Sequence, residues 1–142
     1  VADEYDDNIS VIDVNSLTLT QTITVGKNPQ RGAFTSDGSY YICPNLFDNT
    51  VSIIETATLT VVKTINIGSD PYEGSVSRDN QYAFIPCWND GVISVISIPD
   101  QSFVENITCG TSPQKPVIAS DGTIYTTNYN SNNVSVIRKQ TF

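Results

Sequence analysis

One five-residue phrase occurs four times in this chain, and its spacing constrains the fold more than any other feature. Ile9-Ser-Val-Ile-Asp13 returns as Val51-Ser-Ile-Ile-Glu55, as Ile93-Ser-Val-Ile-Ser97 and as Val134-Ser-Val-Ile-Arg138, at offsets of 42, 42 and 41. Two further landmarks keep the same phase. Gly26-Lys-Asn-Pro29 matches Gly68-Ser-Asp-Pro71 and Gly110-Thr-Ser-Pro113, and Ser36-Asp-Gly38 matches Arg78-Asp-Asn80 and Ser120-Asp-Gly122. Three independent markers in one phase exclude a chance periodicity. A period of about 40–45 residues is that of a four-stranded propeller blade.

Each period reads as four short strands. In the second, Gly32–Ser36 is a strand and Asp37-Gly38 a tight hairpin, because Asp-Gly supplies the positive φ such a turn needs. Tyr40–Pro44 is the next strand, and 45–50 is a loop of polar turn formers. Val51–Glu55 is dense in β-branched residues, which suit a strand buried on both faces. After a turn at 56–58, Leu59–Ile67 alternates, with Val61, Lys63, Ile65 and Ile67 expected on one face. Gly68 to Pro71 then carries the chain onward, Gly permitting the bend and Pro lacking the ladder N–H. No stretch holds a 3.6-residue apolar period, so almost no helix is expected. The fold class is all-β: a β-propeller of four-stranded antiparallel blades of about 42 residues.

Composition narrows the chemistry. A 142-residue chain is the size of one domain. It has no His, which removes imidazole metal ligands and every Ser-His or Cys-His catalytic pair from this segment. Its formal net charge of −8 opposes binding to phosphate backbones and anionic membranes, so no nucleic-acid partner is expected. No apolar run approaches the roughly 18 residues of a membrane span. Cys43, Cys87 and Cys109 are widely spaced with no C-x-x-C pair, so they read as buried thiols, not zinc or redox ligands. The acidic run Asp3, Glu4, Asp6 and Asp7 lacks a calcium-loop pattern and reads as a solvated turn. No cofactor or metal is expected.

Tyr125-Thr-Thr-Asn-Tyr-Asn-Ser-Asn-Asn-Val-Ser-Val-Ile137 resembles the repeat of the YVTN β-propellers, whose blade reads Y-V-T-N-x-x-S-N-T-V-S-V-I-D. Gly68-Ser-Asp-Pro71 and Ser36-Asp-Gly38 approximate that family's other landmarks, and the resemblance covers essentially the whole chain. Two blades depart from it, with Ile42-Cys-Pro-Asn45 and Phe84-Ile-Pro-Cys87 in place of the tetrad. The resemblance implies a propeller. It also brings lactone hydrolases and redox propellers into view, and the lack of His opposes the redox branch here.

In repeat register the chain opens inside a blade, and it divides into blade parts 1–27, 28–69, 70–111 and 112–142. Propellers close with about four to eight blades, so the expectation is an incomplete ring. Its open faces require further blades, from the same longer chain or from another copy.

Propellers usually bind at the face of the inter-blade and second-to-third-strand loops, which is fold-level analogy. Here Arg31, Glu73 and Lys115 occupy one repeat-equivalent position beside the axis, where they could grip a polar ligand or pair with one another. Tyr72 precedes Glu73. Tyr5, Phe47, Trp88 and Tyr129 lie in the other loops, where rings beside Asn and Asp suit sugar or peptide recognition. The ligand-binding candidates are therefore Arg31, Tyr72, Glu73, Lys115, Trp88 and Tyr129, with no catalytic set. The expected function is a non-enzymatic module binding a protein or carbohydrate ligand. A chain rich in Ser, Thr and Asn suits a secreted or cell-surface protein; Asn8, Asn106 and Asn133 also head acceptor sequons, two of which the repeat itself accounts for without any sugar. The alternatives are a lactonase-like hydrolase using Glu73 with Arg31, and a structural subunit assembling through open blade edges.

Overall fold

A computed structural model describes residues 1–138. Those residues form fourteen strands and no helix, in four antiparallel sheets. The first sheet has three strands, β1 (Ala2–Asp3), β2 (Asn8–Asp13) and β3 (Thr18–Thr24). The second holds β4 (Ala33–Phe34), β5 (Tyr40–Asn45), β6 (Thr50–Glu55) and β7 (Thr60–Asn66) in sequential order. The third repeats that order with β8 (Ser75–Val76), β9 (Tyr82–Cys87), β10 (Val92–Ser97) and β11 (Ser102–Thr108). The fourth has β12 (Val117–Ile118), β13 (Ile124–Asn128) and β14 (Asn133–Ile137). The expected innermost strand 32–36 is shorter, spanning only Ala33–Phe34.

The turns repeat as faithfully as the strands. Asn28, Asp70 and Ser112, one per inter-sheet loop, have φ of 53°, 53° and 58°. Gly38, Asn80 and Gly122 take positive φ in the first hairpins, and Asp7, Asn49, Gly91 and Asn132 close the second-to-third-strand turns. Gly, Asn and Asp tolerate this conformation best.

The sheets stack face to face, and side-chain alternation shares the core between junctions. Ile42, Val51, Ile53 and Ile65 pack with Ala83, Ile85, Ile96 and Ile98 of the third sheet. On the opposite face, Cys43 and Ile54 pack with Ile9 and Ile23 of the first. Phe84, Ile93 and Val95 meet Ile124 of the fourth. A strand buried on both faces needs an apolar residue at nearly every position, which explains why β6 and β10 read as continuous β-branched runs.

One expectation is corrected. Val61 does not share a face with Lys63, Ile65 and Ile67. Ile54 pairs with Val61 but Ile53 pairs with Lys63, so Val62 is an extra residue in a β-bulge. A bulge resets the two-residue alternation. Val61 therefore joins the junction with the first sheet, while Ile65 and Ile67 join that with the third. The same shift recurs in β3 and β11.

The end sheets each keep one apolar face uncovered. Ile54, Leu59 and Val61 are packed against the first sheet, yet their period mates Ile12, Leu17 and Leu19 are 47%, 80% and 60% exposed. At the other end, Tyr125, Val134 and Val136 are exposed where Phe84, Ile93 and Val95 pack against the fourth sheet.

Candidate functional site

Antiparallel order puts the inter-sheet loops and the second-to-third-strand turns at one end of the stack. Isolated bridges Pro29–Asn45, Pro71–Cys87 and Pro113–Asn128 seat each inter-sheet loop on the end of its own second strand. The next amide continues that pairing, Gln30 donating to the Pro44 carbonyl, Tyr72 to Pro86 and Gln114 to Thr127. Side chains then brace the loops. Amides of Lys27 and Ser69 donate to the carboxylates of Asp48 and Asp90, at 2.8 and 2.7 Å. Amides of Asn28 and Asp70 reach back to Asp7 and Asn49 of the preceding sheet, at 2.8 and 2.9 Å. The face is therefore built on braced backbone, which presents side chains in fixed positions.

Three of the expected aromatics meet on this face. The Trp88 ring centroid lies 5.5 Å from that of Tyr72 and 5.7 Å from that of Tyr129, with tilts of 50° and 31°. These separations lie within the range of favourable ring pairs. Trp88 is half-buried at the centre, and Tyr72 and Tyr129 are exposed on either side. Tyr5 and Phe47 are also exposed, but neither joins the row. Their turns belong to the first and second sheets, whereas the row is built from the third and fourth.

The charged triplet divides. Lys115 Nζ lies 2.6 Å from Glu73 Oε1. Arg31 makes no ion pair among the described residues. Glu73 and Lys115 follow Tyr72 and Gln114, so the ion pair lies next in the chain to one end of the row.

Beneath the face, one strand-end position shows how the repeat tolerates chemical change. Asn45 Nδ2 donates to Thr50 Oγ1 at 2.9 Å and Ser52 Oγ at 3.0 Å, and Asn128 repeats this toward Asn133 and Ser135. In the third sheet Cys87 takes the place, its sulfur 3.2 Å from Ser94 Oγ. Burial pushes the Cys87 thiol up, and pushes Cys43 up to about 12, so both stay protonated near neutrality. Cys109, half-buried, is raised for the same reason. These thiols fit the expected role as packing groups. In the first sheet Asp3 accepts the amides of Tyr5 and Asp6, so the acidic run forms its own turn. Among the described residues, no group of three or more His, Cys, Asp or Glu could hold a metal ion.

The opposite end of the stack holds a cleft that the sequence reading missed. It lies between the first hairpins of the third and fourth sheets, with a volume of about 620 Å³. Val76, Phe84, Ile118 and Ile124 line its interior, and Arg78, Asp79 and Asp121 stand among its polar residues. The signal in the sequence was a break in the repeat, since Arg78 and Gly122 stand where the preceding period has Ser36 and Asn80.

Other proteins share this architecture. The structure of Kuenenia stuttgartiensis hydrazine synthase matches with a TM-score of 0.84 and 24% identity, over 94% of this chain and 40% of that one. A protein of unknown function from Desulfotomaculum acetoxidans matches at 0.86 and 22%, over 97% and 45%. The dihydro-heme d1 dehydrogenase NirN matches at 0.71 and 13%, over 95% and 33%. This chain thus spans less than half the length of each, and identities this low speak to fold alone. No curated protein matches the chain. The model of the YNCE-like β-propeller family matches residues 1–140. With its repeat, its radial order of sheets and this match in agreement, the chain belongs to the YNCE-like β-propeller family.

Proposed function

We propose that this chain is a binding module, without catalysis of its own, that recognises a carbohydrate or an extended protein segment on its loop face. The observation that carries the reading is the row Tyr72–Trp88–Tyr129, three rings in contact with the outer two exposed. Flat aromatic surfaces cover the apolar face of a sugar ring or a peptide side chain at low entropic cost. The braced loops beneath give the row a preformed shape, which lowers the cost of ordering on binding. Glu73, the carboxylate a lactone-hydrolysing site would draw on, is engaged by Lys115, which favours binding over hydrolysis. Residence in a secreted or cell-surface protein is part of the same proposal, supported by the Ser-, Thr- and Asn-rich composition.

The uncovered end faces support a second element of the proposal. Further blades, from a longer chain or a second copy, complete the ring. Their support is the exposed row Ile12, Leu17 and Leu19 at one end and Val134 and Val136 at the other.

Trp88 is the one Trp in the chain, so its fluorescence reports on the row directly. Titration with oligosaccharide and peptide panels is expected to shift that emission saturably for one class. Trp88→Ala is expected to abolish binding of that class in a label-free assay, while Tyr5→Ala leaves it intact. Binding that survives Trp88→Ala, Tyr72→Ala and Tyr129→Ala would refute the reading.

A further inference from the structure

The aromatic row lies in an acidic part of the loop face. Four segments form that face over the third and fourth sheets: 68–73, 87–91, 110–115 and 128–133. They carry three carboxylates, Asp70, Glu73 and Asp90, and one cation, Lys115. Glu73 holds Lys115 at 2.6 Å, which leaves Asp70 and Asp90 without an opposing cation. Both are tied to the loops that bear the rings. The Trp88 amide donates to the Asp70 carbonyl at 2.9 Å, and only Pro71 separates Asp70 from Tyr72. Asp90, two residues beyond Trp88, accepts the Ser69 amide on Oδ2 at 2.7 Å, so its carboxylate sits on the loop that carries Tyr72. The Asp70 amide is engaged by Asn49, while its carboxylate takes no hydrogen bond or ion pair among the described residues.

Rings and carboxylates in one place favour one sign of charge. Trp and Tyr faces attract a cation, and a guanidinium suits them best because it is flat and weakly hydrated. A neutral sugar gains nothing from the surrounding field, and on a chain of net charge −8 an acidic ligand is repelled. The geometry points to an extended protein segment bearing several arginines as the ligand of this face, an inference that rests on the loop-face reading above. Its guanidinium groups pack on Tyr72 and Tyr129, which are 38% and 68% exposed, and on the Trp88 edge between them. Same-side residues of an extended chain recur about every 7 Å, comparable with the 5.5 and 5.7 Å between neighbouring rings. Asp70 and Asp90 add charge-assisted acceptors for the N–H groups that the rings leave free.

Calorimetric titration of the full chain with a twelve-residue peptide repeating Arg-Gly-Ser tests this. Saturable binding is expected, weaker by about tenfold or more when citrulline, the neutral isostere, replaces each arginine. Raising NaCl from about 50 to about 500 mM is expected to weaken it severalfold. Trp88→Ala and the fully surface-borne change Tyr129→Ala are each expected to lower affinity by about fivefold or more, and Asp70→Asn by a smaller factor. Asp37→Asn makes the same charge change at the opposite end of the stack and is expected to leave affinity unchanged. Equal binding of the citrulline peptide overturns the inference, as does binding that Trp88→Ala and Tyr129→Ala leave intact, which would be charge adhesion without the rings. If a neutral oligosaccharide binds in a Trp88-dependent way and the arginine peptide does not, the inference falls while the loop-face reading stands. If neither class binds, both fall.

Discussion

Gly26 stands so close to Asn45 that a β-carbon on it would lie 2.7 Å from the Asn45 Cγ. The contact repeats at Gly110 against Asn128, also at 2.7 Å, and Gly68 meets Cys87 in the same way at 2.9 Å. Gly26, Gly68 and Gly110 carry no positive φ, so what excludes a side chain is space, not backbone conformation. The glycine lets the inter-sheet loop lie on the second strand, and so places the loop face.

Gly26→Ala is therefore expected to destabilise the chain by about 1–3 kcal/mol, the cost of forcing an extra carbon into a packed site. Urea unfolding measures it. The same substitution at the solvent-facing Gly38, where nothing lies within 4 Å, meets no clash and pays only for φ of 73°. Equal destabilisation at both sites would contradict the packing explanation.

Removing the carboxamide beneath that glycine leaves two buried hydroxyls without their donor. Asn45→Ala is expected to cost about 1–3 kcal/mol on this account. Asn45→Cys is expected to cost less, because Cys87 already fills the equivalent position beside Ser94. Denaturation midpoints of the two variants decide it, and a Cys variant no better than Ala would count against equivalence of the sites.

The Glu73–Lys115 pair is partly exposed, with side-chain accessibilities of 29% and 52%. Exposed pairs contribute about 0.2–1 kcal/mol, and salt screens them. A double-mutant cycle with Glu73→Gln and Lys115→Met is expected to return a coupling in that range that fades at high ionic strength. A coupling above it would place the pair in a much drier setting.

Burial of the Cys43 thiol sets an alkaline limit on stability. Its folded value of about 12 lies above the ordinary 9.0, so the folded state holds its proton where the unfolded chain releases it. The contribution is full below about pH 9 and is lost as pH rises toward 12. Tyr41, also raised by burial, acts in the same direction. Cys43→Ala is expected to lower stability at neutral pH through lost packing, yet to flatten its fall between pH 8 and 11. Urea midpoints across that range test this, and an unchanged slope would show that Cys43 does not control it.

Much of this architecture was legible in the sequence because the physics behind it is local or periodic. A 42-residue step, β-branched runs and Asp-Gly or Gly-x-x-Pro punctuation specify strand, turn and strand again. A fold in which each unit packs only on its neighbours adds little long-range ambiguity. The bulge at Val62 escaped, since alternation in sequence carries no mark of an extra residue until two strands are paired. Ring and charge contacts escaped for a related reason. Repeat equivalence put Arg31, Glu73 and Lys115 at one position, but only the spacing of the sheets decided that Glu73 meets Lys115. Equivalence likewise could not bring Tyr72 to Trp88, because the two belong to different positions of the repeat and meet where a loop folds onto a strand end. The cleft is the clearest case. The break in the repeat, Gly122 in place of Asn80, is one letter in the sequence, and the space itself exists only where two hairpins face each other across a junction.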